Sequence, residues 1–114
     1  PSTAGISIFN NGTTLDIFGP PRLTVASAFT LNEWQHFALT RSGTSMRAFV
    51  NGTQVGSTTT SSEDHTAGRL LIGDQVQFNY PLDGLIDDFR ITKGIARYTA
   101  NFTPPTAEFP IVGA

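Results

Sequence analysis

Residues 82–105, LDGLIDDFRITKGIARYTANFTPP, read as a strand, a tight turn and a short aromatic hook. Leu85, Asp87, Phe89 and Ile91 alternate with Ile86, Asp88, Arg90 and Thr92, which is the period of a strand in a sheet. Gly94 ends that strand. Residues 95–98 read as one helical or 3₁₀ turn packed back on the sheet, and Tyr98 and Phe102 anchor a short hook that stops at Pro104-Pro105. The stretch speaks to fold and is almost silent about chemistry.

Working upstream, strand signals dominate. Residues 6–9 and 13–18 flank Asn11-Gly12, which reads as a hairpin turn. Gly19-Pro20-Pro21 breaks the chain, because proline cannot donate to a ladder. Residues 23–29 form a weaker strand candidate, and 31–33 turn into Trp34. Residues 35–42 form a strong strand, with Phe37 and Leu39 on one face and His36, Ala38 and Thr40 on the other. Gly43-Thr44 turns into a strand over 46–50, and Asn51-Gly52 is a second hairpin turn into 54–60. A polar loop over 61–68 precedes a short buried strand over 70–72 and a longer loop over 73–81. Strands recur roughly every ten residues and no helical period is sustained, the pattern of an antiparallel β-sandwich. No linker divides the chain, so residues 1–114 are expected to be one domain.

Composition narrows the function classes. Charged residues are only 14% of the chain, which suits an extracellular or virion-surface protein. The net charge is −2 and there is no basic run, so nucleic-acid binding is disfavoured. There are no cysteines, which excludes disulfides, thiolate metal sites and a thiol nucleophile. That absence points away from animal secreted modules and toward a bacterial, phage or environmental source. No apolar run is long enough for a transmembrane helix, so membrane insertion is not expected. The chain starts at Pro1 and has no signal-peptide pattern, as expected of a processed product or part of a longer polypeptide.

A family resemblance emerges when these strands are put in order. Residues 34–41, WQHFALTR, resemble the W-x-H-hydrophobic-A-hydrophobic-T-R strand of concanavalin A-like, laminin-G-like jelly rolls. MRAFVNG at 46–52 is similar to that family's next strand and its Y-V-D/N-G turn. LIG at 71–73 and GLIDDFRI at 84–91 look like its last two core strands. The tail from Ala96-Arg97-Tyr98 to Pro105 resembles a subgroup found in phage and bacterial surface proteins. Together these motifs cover residues 34–105. The resemblance implies a concanavalin A-like β-sandwich, and its members include lectins, adhesin and tail-fibre modules, virion structural domains and some glycanases. In the complete fold several more strands precede the matched region, and only residues 5–29 stand in their place here. A sandwich lacking strands would expose edges and apolar core. The missing strands are therefore expected from another chain, a neighbouring segment or symmetric packing, with protein subunits of the same assembly as partners and an oligomer as the working state.

Candidate sites follow from residue chemistry and the resemblance. Phe78 and Tyr80, flanked by Gln77 and Asn79, suit the C–H face and hydroxyls of a glycan or cell-surface polysaccharide. They could equally plug the sandwich end or an inter-subunit contact. No cofactor is required, and Ca²⁺ is the one candidate. Asp74, Asn79 and Asp83 offer hard oxygen ligands in the loop before Gly84, and Glu63 and Asp64 lie in another loop. Trp34, His36, Asp87 and Tyr98 are read as structural motif residues, with Trp34 in the core and so not a sugar platform. Asp87 is expected to tie down a loop backbone or meet a cation such as Arg41. Adjacent strand residues point to opposite faces, so Asp87 and Asp88 cannot form a glycosidase acid pair. The E-x-D-x-x-E strand of the superfamily's glucanases is absent, and no enzyme activity is expected. His65 sits in a polar loop, where solvation is the default. Three N-x-T sequons begin at Asn11, Asn51 and Asn101, two of them at the hairpin turns.

Overall fold

A computed structural model describes residues 7–18, 22–62 and 84–107 of the chain. Among these described residues six strands form two antiparallel sheets: β1 (Ser7–Asn11), β2 (Thr14–Phe18) and β3 (Leu23–Val25) in one, β4 (Phe37–Ser42), β5 (Ser45–Val50) and β6 (Thr53–Thr60) in the other. Both sheets run in sequence order, because each connection is short enough only for an antiparallel return. No helix occurs among the described residues. This is the all-β, antiparallel architecture expected.

The turns follow local chemistry. Val50 pairs with Thr53, which leaves Asn51 and Gly52 as a two-residue loop with φ of 51° and 81°. Two positive φ values give the twist that matches flanking strands, and Asn-Gly tolerates them. In the first hairpin Asn11 pairs with Thr14, so the loop is Gly12-Thr13, one residue later than the Asn-Gly reading placed it. β3 stops at Val25 instead of running to residue 29, and Ser27 turns the chain with φ 56°.

Period-two patterning supplies the core. Leu15, Ile17 and Leu23 from the first sheet meet Met46 and Ala48 from the second, all buried. Phe37, Leu39, Val25, Phe29 and Val55 pack around them. β5 is the central strand and is buried on both sides, since Phe49, which faces away from Met46 and Ala48, is also fully buried. A register shift lies between Met46 and Ala48, whose partners on β6 are Thr59 and Val55. Two extra β6 residues are accommodated there, bending the strand as bulges do.

Three expectations are corrected. Residues 85–92 form no strand: Leu85, Ile86, Phe89 and Ile91 are exposed at 79%, 49%, 53% and 56%. The backbone explains this, because Asp88 takes a left-handed φ of 55° and its amide donates to Asp87 Oδ1 at 2.8 Å, breaking the extended repeat. Residues 95–98 form bends and not a helical turn. Trp34 is not in the core but 68% exposed. The expected strand over 70–72 lies outside the described residues.

Candidate functional site

The hook comprising residues 98–104 is built onto the outer face of the β4–β6 sheet. Three hydrogen bonds tie it down. Thr40 Oγ1 donates to the Tyr98 carbonyl at 2.8 Å, the Phe102 amide donates to the Gly52 carbonyl at 2.8 Å, and the Gln54 amide donates to Asn101 Oδ1 at 2.8 Å. The β5–β6 turn is itself pinned to the start of β4: the His36 amide donates to Asn51 Oδ1 at 2.9 Å, and the Asn51 amide donates to the His36 carbonyl at 2.7 Å. Gly52 is buried, and a Cβ there would overlap the Phe102 carbonyl.

Four rings fill the space beneath the hook. Tyr98 and Phe102 stack with centroids 3.5 Å apart and planes 7° from parallel. His36 stands across both, 6.2 Å from Tyr98 and 5.5 Å from Phe102, at 83° and 79°. Phe49 does the same at 6.4 Å and 5.3 Å. A ring over one face of the stack would be far from the other member. His36 is nearly equidistant from both, so it sits beside the stack, against ring edges.

That placement sets its electrostatics. Aromatic edges carry the positive end of the ring quadrupole, so no cation–π attraction is available to an imidazolium there. Nδ1 of His36 is buried and has no hydrogen-bond partner. Desolvation holds the His36 pKa below its ordinary 6.5, and the Arg90 charge lowers it further, against an opposing pull from Asp88. The neutral ring fits this clasp and the charged ring does not. At the other sheet, Asp16 on β2 accepts from Arg22 at 3.1 Å and from Thr24 Oγ1 at 2.9 Å, and the Arg22 bond holds its carboxyl below the usual range.

The loop entering β4 is closed by one side chain. Gln35 Oε1 accepts from the Thr30 amide at 2.9 Å while its Nε2 donates to the Thr30 carbonyl at 2.7 Å. Leu31 and Trp34 are left exposed at 59% and 68%. Asp87 is exposed too, with its carboxylate on the neighbouring Asp88 amide and not in the core.

The structure brings His36 and Tyr98 together and leaves Trp34 and Asp87 apart from them at the surface. Asp74, Gln77, Phe78, Asn79, Tyr80 and Asp83 lie outside the described residues, as do Glu63, Asp64 and His65. Among the described residues no group of three His, Asp or Glu side chains could hold a metal ion. Sequence reasoning placed Asn51 and Gly52 in a turn but missed their grip on His36 and Phe102. It also missed Asn101, met only as a sequon. Those contacts join residues far apart in the chain, and no local signal announces them.

Comparison with known families gives one match: a laminin-G-type model described as the concanavalin A-like lectin/glucanases superfamily, over residues 3–96. The match begins upstream of Trp34 and so takes in the first sheet as well. No curated protein and no solved structure matches the chain.

Proposed function

The chain belongs to the concanavalin A-like lectin/glucanases superfamily, and from that premise we propose that it is a non-catalytic, lectin-like recognition module of a phage fibre, virion or bacterial surface protein. Superfamily membership is the observation that carries this reading. Two features support the non-catalytic part: the E-x-D-x-x-E pattern is missing from the sequence, and the Asp87 carboxylate is bonded to the next backbone amide. The glycan contacts proposed on the sequence are Phe78, Tyr80, Gln77 and Asn79. Calcium belongs to the same proposal, through Asp74, Asn79 and Asp83, whose oxygen atoms suit a hard cation. A glycan array read with and without EDTA tests both. Saturable binding to a defined glycan class is expected, and loss with EDTA would implicate Ca²⁺. A blank array from folded protein removes the lectin reading, and release of reducing sugar removes the non-catalytic one.

A second reading, a structural domain of a virion or surface assembly, is favoured by a separate observation. Leu85, Ile86, Phe89, Ile91 and Ile95 are all exposed within one short segment. Apolar side chains gathered this way mark contact surfaces in soluble proteins. Stability that rises with protomer concentration supports assembly, and concentration-independent unfolding counts against it.

A further inference from the structure

Trp34 is the only tryptophan in the chain, and it is presented to solvent on a loop that cannot easily collapse. Gln35, next in sequence, locks the loop by a two-way amide bond to the backbone of Thr30. His36, one residue further, is fixed through both its amide and its carbonyl to Asn51. Asn32 turns the loop with a positive φ of 60°. The backbone is therefore held on both sides of Trp34, by two hydrogen bonds at Thr30 and two at His36, while the indole remains 68% exposed. A large flat side chain with two torsions on a fixed backbone loses little entropy when something stacks on it.

We propose that the loop over residues 30–35 is a saccharide-stacking platform in which Trp34 carries the sugar ring. The proposal deepens the lectin-like reading and rests on it, and the site differs in sequence from the 77–80 candidate. Size argues for a sugar. A standard protein interface buries about 800 Å² on each partner, and this loop offers only two apolar side chains, Leu31 and Trp34. One indole face matches the C–H face of one pyranose. Asn32 and Glu33 lie between the two apolar residues and are both exposed, offering an amide and a carboxylate to ring hydroxyls. Charge narrows the class. The loop, TLNEWQ, has Glu33 and no Lys or Arg, so the ligand is a neutral sugar and not a uronic or sulfated one.

A single tryptophan is also a reporter. The experiment uses the whole chain and titrates indole fluorescence with cellohexaose, chitohexaose and a hyaluronan oligosaccharide, beside the glycan array. Acrylamide is expected to quench the free protein strongly, and a neutral oligosaccharide to protect it saturably. Trp34→Ala should weaken that binding about tenfold or more, with Trp34→Phe intermediate. The wild-type titration decides the question even if Trp34→Ala fails to fold. Array binding with an unmoved indole signal and unchanged Trp34→Ala affinity overturns the platform but leaves the lectin reading standing. A blank array removes both. An indole that acrylamide does not reach, protection by hyaluronan alone, or protection that appears with protein concentration and no sugar would each overturn the platform, the last in favour of a contact between copies.

Discussion

His36 and Asp16 give the chain two acid-sensitive points that act in separate pH windows. The folded His36 has a pKa below 6.5, so the unfolded chain binds its proton more readily. Stability therefore rises with pH there: it is complete well above 6.5 and declines as pH falls through 6.5 toward the depressed folded value. Asp16 is lowered from 3.8, so its contribution is present above that value and is lost as pH falls below it. Arg22 is half in solvent, which limits the pair to about 1 kcal/mol or less. Denaturant midpoints measured from pH 8 to pH 3 should fall in two stages, and His36→Gln should flatten the upper one while Asp16→Asn removes only the lower. An upper stage that survives His36→Gln would show that the clasp is not its source. Glycines sort by surroundings in the same way. Gly12 and Gly52 both have positive φ, 61° and 81°, but only Gly52 faces the Phe102 carbonyl. Gly12→Ala should cost about 1 kcal/mol from backbone conformation alone, whereas Gly52→Ala should cost about 3 kcal/mol or more, because the hook must move as well. Equal losses in urea melts would contradict the contact.

The hook is an element whose stability does not come from secondary structure. Residues 98–104 have no ladder, and their anchors are three hydrogen bonds and four packed rings. Phe102→Ala should destabilise the domain by about 1.5–3 kcal/mol through lost apolar burial. A double-mutant cycle of Tyr98→Ala with Phe102→Ala should give a coupling of about 0.5–1.5 kcal/mol for the stack. Additive losses would mean the rings do not touch in solution. Sequence reading found this element because two aromatics and a double proline are local features. It found β4, β5 and β6 within two residues for the same reason, since period-two patterning and Asn-Gly turns are written into adjacent positions. It failed at residues 85–92, where the alternation is present but Asp88 takes a left-handed conformation that the pattern does not reveal. It failed at Trp34 because a tryptophan is buried or exposed according to what covers it, and that is a property of the fold. Of the site, the His36 clasp was half legible: the residues were named, but their meeting depends on pairings between Asn51, Gly52 and the hook that no spacing encodes.

Across the whole molecule, burial is uneven. β5 is covered on both faces, by the first sheet on one side and the hook on the other, and the core residues Leu15, Ile17, Ala48 and Phe49 are fully enclosed. The segment running from Leu85 to Ile95 shows the opposite: five large apolar side chains lie between 49% and 79% exposed. Each would gain roughly 1–2 kcal/mol if half its exposed apolar surface were covered, so together they contribute roughly 5–10 kcal/mol per copy toward association, the same order as the entropy cost of binding, about 4–15 kcal/mol. If the segment is a subunit contact, sedimentation equilibrium on the isolated chain should show reversible self-association that tightens with ionic strength, as apolar contacts do and ion pairs do not. Phe89→Lys with Ile91→Lys should shift the chain to a monomer with unchanged far-ultraviolet dichroism, because neither side chain belongs to the core cluster. The concentration dependence of thermal unfolding should vanish in the same variant. A monodisperse wild-type monomer with one cooperative transition would end the assembly reading and leave recognition of a small ligand as the role of this module.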